Sequence, residues 1–540
     1  MIGSALPDAN SGHSDYFTPP HYATLAHIYL QQCIATDDIG LYDRNWWDAA
    51  CGTGQLTEPC PSGMRGKLFT STLHADDAAK VAHPSLTMSF TYDFQRQVDC
   101  DLPAELRHAL EEQKHWAMII NPPFKATTSA RLDSSPEIGA TIVAKDMGKV
   151  GLRRTANVSS MQFLYRILEL ATNYNLDLMI GVFTQPTFLI ADSYAGFLDL
   201  WLDRFKFVNG FVVNGKEFGV KWSNWPLAYT VWKTAKSKSS EDRSFSLHVY
   251  VKGWRMGQKL FSPCAHTLSS WIDRPKATVV VAPLTSALKV RDKPKANLSK
   301  LPPQAIGFVV SSGNDVMHTR GSFLLSSAYA NGNGWGVTPD NIEDSLTALA
   351  ARCLVRPNWL NDRDQFSVPD TSKLGYQTWS KDAIMWILAS VYNSSSSFLA
   401  HYQGEDYSIS NEFFWMLPSE VGAISDMPDE IRNQAANARS PFFAQWIKDQ
   451  TLSSEAESVL SYTKQIVYDT AALRPSADPS MHLHRWDAGW YQLRHGFLRQ
   501  KQPLTGAEEL TARYQPFKRM HRKFGERLAD GVYDFGFLNR

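Results

Sequence analysis

Apolar positions along residues 20–235 fall into two alternating rhythms. Residues 22–33 (YATLAHIYLQQC) follow two prolines and carry apolar side chains at helical spacing, and residues 161–171 (MQFLYRILELA) repeat that spacing, so both are expected as helices. Between and after them lie short apolar runs: 45–50, which ends in a Gly-rich turn, 116–120 (WAMII) and 176–183 (LDLMIGVF). Runs of that length and continuity suit strands covered on both faces. Residues 205–213 and 228–233 read as a closing pair of strands. Alternation of this kind predicts an α/β domain with a largely parallel sheet. The polar run 235–243 (AKSKSSEDR) ends it, 245–251 alternates like an exposed strand, and a Lys- and Pro-rich stretch at 289–303 makes a second break. Residues from about 304 to 420 are mixed, and the chain is mainly helical from about 428.

Composition narrows the class. A length of 540 residues calls for two or three domains, and 44% hydrophobic with 20% charged residues is enough to build sizeable cores. Lys+Arg and Asp+Glu are equal at 54 each, which counts against a protein that is basic throughout but permits a basic cleft balanced elsewhere. The six cysteines show no C-x-x-C pair and no histidine at ligand spacing; neither a disulfide framework nor a metal site is expected, and the compartment is taken as reducing. The N-terminal segment has no signal-peptide pattern, and no apolar stretch is long enough to span a bilayer, so a cytoplasmic protein is expected.

Two segments carry chemistry. Residues 48–54 (DAACGTG) stand where a strand is expected to pass into a helix: glycines let backbone approach a ligand, and Asp48 can hold the ammonium of an amino-acid-like molecule. No Gly-Lys-Ser/Thr follows, which disfavours a phosphate loop. The second segment is Asn121-Pro122-Pro123-Phe124, directly after WAMII. An Asn amide oxygen beside a bare proline carbonyl makes a paired acceptor for an NH2 group, and Phe124 offers a face for a planar base. The same residues also suit a Pro-Pro turn capping a strand, with Phe124 in the core.

Together, DAACGTG, the later NPPF and the upstream DYFTPP (15–20) resemble the S-adenosylmethionine-dependent methyltransferases that modify N6 of adenine in DNA, in the group whose donor motif precedes the catalytic motif. The resemblance covers about residues 15–235. It implies a Rossmann-like class I methyltransferase fold, α/β with a mixed, mostly parallel sheet, over 1–235. An extension over 236–300, a mixed α+β target-recognition region over 301–425 and a helical region over 426–540 would follow. It implies S-adenosylmethionine as cofactor, held by Asp48, Ala50, Cys51, Gly52 and Gly54, with Tyr16, Thr18 and Pro19 lining the pocket. Asp93 and Phe94 resemble the acid-aromatic pair beside the donor adenine, although an acid ending a strand explains them equally. The ribose-binding acid of the family has His74 in its place; Asp76 or Asp77 can serve by a small shift. Asn121, Pro122, Pro123 and Phe124 are the implied catalytic residues, acting on a base flipped out of the duplex.

Lys145, Lys149, Arg153 and Arg154 are expected in a flexible loop, either touching the DNA backbone or merely solvated. Trp335, Arg352, Arg356, Asn358 and Trp359 fall in the region that would read sequence, and 514–527 is either a basic clamp or a solvated helix. The implied partners are duplex DNA and, in a restriction-modification setting, a restriction or specificity subunit; no membrane is implied. No fused nuclease is expected. The same site chemistry also fits adenine in RNA or a protein glutamine, and a subunit that keeps the fold without catalysis is the reading from a different class.

Overall fold

The computed structural model describes residues 18–112, 114–124, 140–219, 225–235, 243–264, 266–281, 299–326, 333–395, 398–402, 405–409, 412–423, 429, 432–433, 440–471, 489–494 and 508–539. The chain divides into two compact units, Met1–Cys264 with Asn358–Arg363 and Arg540, and Ala265–Pro357 with Asp364–Asn539.

The first unit is built on a nine-stranded sheet. Its strands are β1 (Asn45–Asp48), β2 (Leu68–Thr72), β3 (Leu86–Thr91), β4 (His115–Ile120), β5 (Asp177–Thr184), β6 (Phe205–Asn214), β7 (Pro226–Thr234), β8 (Phe245–Val251) and β9 (Trp254–Phe261). In space they run β3-β2-β1-β4-β5-β7-β6-β8-β9, and only β7 and β9 oppose the rest. The largely parallel sheet is the one the pattern predicts, and its Rossmann-like, mixed arrangement is the one the resemblance implies. The chain winds outward from β1 to β3 and then returns to lay β4 against β1. Ligands of such sheets bind where the order reverses, beyond the carboxyl ends of the strands. Here that place is the β1/β4 boundary.

Every residue of β1 is buried, because its neighbours cover both faces. Trp47, Phe69, Trp116 and Met118 belong to one core, shared with the helices α3 (Ala104–Glu112), α4 (Ile142–Lys149), α5 (Ser159–Asn173) and α7 (Ala195–Arg204); the short α2 (Ala75–Ala78) and α6 (Thr187–Ile190) lie after β2 and β5. Trp46, Ala117, Ile119 and Met179 point the other way, into a core built with α1 (Pro20–Ile34). Adjacent residues serve opposite faces, as strand geometry requires. Proline at its first position starts α1 without wasting a donor.

The amino ends of the central strands are fastened by Arg44, whose side chain is completely buried. Its guanidinium pairs with Asp37 at 2.7 Å and reaches the carbonyls of Trp116 and Asp177, at the starts of β4 and β5, at 3.4 Å each.

The second unit contains a three-stranded sheet (Gly307–Val310, Phe323–Ser326, Gly334–Val337) and the helices Ile342–Leu354, Tyr376–Leu388, Ser454–Thr470 and Glu508–Asp534 around one aromatic core. Its last helix lies tightly on Tyr376–Leu388: a Cβ on Gly531 would stand 2.1 Å from Trp379, and the Trp379 indole donates to the Leu528 carbonyl at 2.9 Å. The basic run 514–527 is therefore part of a packed helix, with Tyr514, Phe517 and Phe524 buried. Trp335 and Arg352 are likewise buried: the Trp335 indole donates to Ser345, and the Arg352 guanidinium donates to the Gly313 carbonyl at 3.0 Å. Arg356 and Asn358 are exposed, and Trp359 packs against the core of the first unit.

Candidate active site

Because β1, β2, β3, β4, β5, β6 and β8 run in one direction, the segments after them gather along a single rim. DAACGTG and NPPF fall side by side on it: β1 and β4 pair in register, with Trp47 opposite Met118, so Asp48 and Asn121 leave neighbouring strands.

Asp48 is buried at the end of β1. One carboxylate oxygen accepts from the Ala50 N–H at 3.3 Å and the other from the Thr57 hydroxyl at 3.0 Å. Desolvation outweighs those bonds and raises its pKa to about 7. Gly52 and Gly54 both take positive φ, +51° and +94°, which L side chains avoid. A Cβ on Gly54 would also touch Val81 at 3.4 Å. The Cys51 N–H donates to the Ser71 carbonyl of β2, and burial holds the Cys51 thiol well above its ordinary pKa. The helix expected after this turn is absent: residues 52–59 form successive turns, since the positive-φ glycines interrupt helical geometry and Pro59 and Pro61 follow.

The α1 helix fastens both segments. Thr18, two residues ahead of it, accepts a 3.0 Å hydrogen bond from the Asn121 side-chain nitrogen. About two turns into the helix, His27 bonds the Leu56 carbonyl at 2.7 Å and lies parallel to the Trp46 ring. Burial lowers the His27 pKa to about 4, so the ring is neutral and donates to that carbonyl. Sequence reasoning did not single out His27, and only its place on the inner face of a helix pointed to it.

Pro122 is buried, Pro123 exposed and Phe124 half-buried. The Phe124 ring meets Trp225 edge to face, with centroids 5.8 Å apart. Trp225 sits just before β7, and its backbone carbonyl accepts from the Gly215 N–H at the end of β6. Pro19 is half-buried beside Thr18, and Tyr16 lies outside the described residues.

The remaining assignments are more dispersed. Asp76 is exposed and Asp77 pairs with Lys80 at 3.0 Å, both in the first turn of α2 just beyond β2. Asp93, after β3, accepts from the N–H groups of Gln95 and Arg96 and so shapes a turn. Phe94 is a core residue, stacked on Phe163 at 4.9 Å and edge-on to Trp47. Lys145 and Lys149 are not in a loop: Ile142–Lys149 is helical, capped by Thr141 and anchored by Val143, Ala144 and Met147. Lys149 pairs with Asp146 at 2.7 Å, while Arg153 and Arg154 are exposed in the turn that follows. Among the described residues no cluster of His, Cys, Asp and Glu could hold a metal, and no helix is long and apolar enough to cross a membrane.

No family model matches the chain, and no curated protein matches it by sequence. Solved structures that resemble it include a protein described as a modification subunit of a type I restriction enzyme from Vibrio vulnificus, at 12% identity and TM-score 0.32 over 50% of this chain and 58% of that one. A protein described as a class I S-adenosylmethionine-dependent methyltransferase from Listeria monocytogenes matches at 10% identity and TM-score 0.32, over 45% of this chain and 69% of the other. The type IIG restriction endonuclease BpuSI matches at 10% identity and TM-score 0.33, over 97% of this chain and 67% of its own. The chain thus spans little more than half of the Vibrio subunit.

Proposed function

We propose that the chain is an S-adenosylmethionine-dependent methyltransferase that methylates the exocyclic N6 of adenine in DNA. One observation carries the reading. At the carboxyl ends of the adjacent strands β1 and β4, a glycine turn around a buried carboxylate stands beside an amide held by Thr18 and followed by two prolines and an aromatic ring.

The donor side fits the residues present. A carboxylate with a pKa of about 7 is poised to ionise against an ammonium, and two positive-φ glycines bring backbone close to whatever Asp48 holds. Asp48, Ala50, Cys51, Gly52 and Gly54 would hold the amino-acid part of the donor, with Thr18, Pro19 and Tyr16 along its flank. Asp76 or Asp77 would meet the ribose, and Asp93 and Phe94 the adenine end. When bound, S-adenosylmethionine supplies a methyl on a positively charged sulfur, already activated for displacement.

On the acceptor side, the Asn121 amide oxygen and the Pro122 carbonyl would accept the two N–H groups of the target amine. That arrangement favours a pyramidal nitrogen and stabilises the positive charge that develops on it. Pro123 stiffens the loop, so the acceptors do not reorganise during reaction. In a duplex the base must first leave the stack, at a cost of a few kcal/mol, and stacking on Phe124 would return about 1–3 kcal/mol. Exposed Lys149, Arg153 and Arg154 would follow the phosphate backbone. The region 301–425 would choose the sequence through residues other than the buried Trp335 and Arg352, alone or with a specificity subunit.

The test is transfer of labelled methyl from S-adenosylmethionine to duplex DNA, RNA and protein pools, with Asn121→Ala alongside. Label recovered as N6-methyladenine in DNA and lost in the variant is the expected result. Label only in RNA or protein would keep the chemistry and overturn the substrate.

A further inference from the structure

The β8–β9 hairpin is unlike the rest of the sheet. Its two-residue turn, Lys252-Gly253, has φ of +50° and +80°, the pattern of a tight type I′ hairpin. The turn is held from below: the Glu217 carboxylate accepts from the Lys252 N–H at 3.0 Å and from the Tyr22 hydroxyl of α1 at 2.5 Å. Beyond it, Trp254 is 77% exposed and Met256 68% exposed. His21, Glu217, Lys252, Gly253 and Trp254 line an open groove of about 620 Å3.

Charge follows the same pattern. The hairpin 245–261 contains no Asp or Glu and carries Lys252, Arg255 and Lys259, with Lys252 and Arg255 at the tip, where the nearby Glu217 carboxylate bonds the Lys252 N–H and the Tyr22 hydroxyl. Lysines do protect the edge strands of sheets, and β9 is an edge. Edge protection, however, gives no reason to raise a tryptophan into water at the tip. A fixed basic tip with an exposed aromatic is the equipment of a surface that meets a nucleic-acid strand.

Position selects the strand. β8 runs parallel to β4, so the turn stands on the same rim as Asn121, four strand spacings away. At about 4.8 Å per spacing the separation is roughly 19 Å, which is about five or six nucleotide steps of B-form DNA. The segment that bonds Asn121 through Thr18 runs directly into α1, which bonds the hairpin through Tyr22 and Glu217.

We propose that the β8–β9 hairpin is a second contact for duplex DNA, with Lys252 and Arg255 on backbone phosphates and Trp254 against an adjoining sugar or base. The proposal rests on the methyltransferase reading for what lies at the other end of the rim. It is tested on the full chain by fluorescence anisotropy of a labelled mixed-sequence duplex across a salt series. Removing one cation from its phosphate flattens the slope of log K against log salt by about 0.9, so the Lys252→Gln/Arg255→Gln variant should flatten it by about 1.8. Trp254→Ala should weaken binding about 5-fold or more with little change in slope, as for loss of an interface residue worth about 1 kcal/mol or more, and Trp254→Phe should restore most of it.

Thermal melting, expected to be unchanged for these exposed positions, separates misfolding from the absence of a DNA-binding side chain. Variants that bind DNA with wild-type slope and affinity, a wild type that binds no DNA, or a loss confined to RNA or protein partners would each overturn the proposal. Donor binding by calorimetry keeps the two readings apart. A wild type that shows hairpin-dependent DNA binding yet ignores S-adenosylmethionine would sink the methyltransferase reading alone.

Discussion

If Asp48 holds the donor as proposed, donor binding depends on pH in a calculable way. Its carboxyl titrates at about 7 because burial penalises the charge more than Ala50 and Thr57 relieve it. On the proposed assignment a donor ammonium would bind the ionised form, so protons and donor would compete for one group. At about pH 5.5 such a group is ionised to about 3%, and at about pH 7.5 to about 75%, so donor affinity should rise about 25-fold over that interval. The upper limit is kept below the pH at which a free α-amino group sheds its own proton, about 7.7–8.0. Calorimetric titration of the full chain with S-adenosylmethionine measures the effect, and Asp48→Asn should bind weakly with no such rise. The ligand-free protein gives an independent check. A carboxyl whose folded pKa lies above its unfolded value binds its proton more tightly when folded. The Asp48 contribution to stability should therefore be fully present below about pH 4 and be lost as pH rises through 7, by up to about 4 kcal/mol, read as the difference between wild type and Asp48→Asn across that range. Wild-type donor affinity that stays flat across the interval, or an Asn variant that keeps the rise, would refute the assignment.

Other substitutions probe separate parts of the site. Asn121→Ala should cut kcat about 100- to 1000-fold while leaving the donor dissociation constant unchanged, as measured by single-turnover transfer and calorimetry. Phe124→Ala should cost about 1–3 kcal/mol in kcat/KM for DNA, and donor binding should again be untouched. Gly54→Ala forces an L residue to φ +94° and should weaken donor binding by about 1–2 kcal/mol or more, more than it lowers the urea midpoint. Arg44→Met should destabilise the first unit by about 3 kcal/mol in urea unfolding, the lower end for a broken buried pair because Asp37 is 22% exposed.

Much of the first unit was legible because its signals are local. WAMII announces a strand buried on both faces, and the tetrad after it can only sit at that strand's end. DAACGTG is similarly anchored by Asn45–Asp48. What failed depended on partners remote in sequence. Nothing near Asn121 predicts its bond to Thr18, 103 positions earlier. The α4 helix hid because its charged face, with Lys145 and Lys149, dominates the segment, while Val143, Ala144 and Met147 supply only a short apolar stripe. The hairpin tip was missed because Lys-Gly lacks the Asn-Gly or Asp-Gly signature of such turns. Trp335 and Arg352 looked like candidate readers of DNA, and only packing reveals them as core. Residue type identifies what a side chain can do, whereas burial decides whether it is offered to a partner.

The buried Arg44 has a consequence for how this architecture can change over time. It locks the amino ends of β1, β4 and β5 together, while the turns that carry Asp48, Asp93, Asn121 and the β8–β9 tip spring from the opposite rim. The sheet is therefore a chassis with one welded end and one open end. Loops at the open end can be lengthened, shortened or exchanged without loosening the weld, so the surface they form can change while the spacing of Asp48 and Asn121 is inherited unchanged.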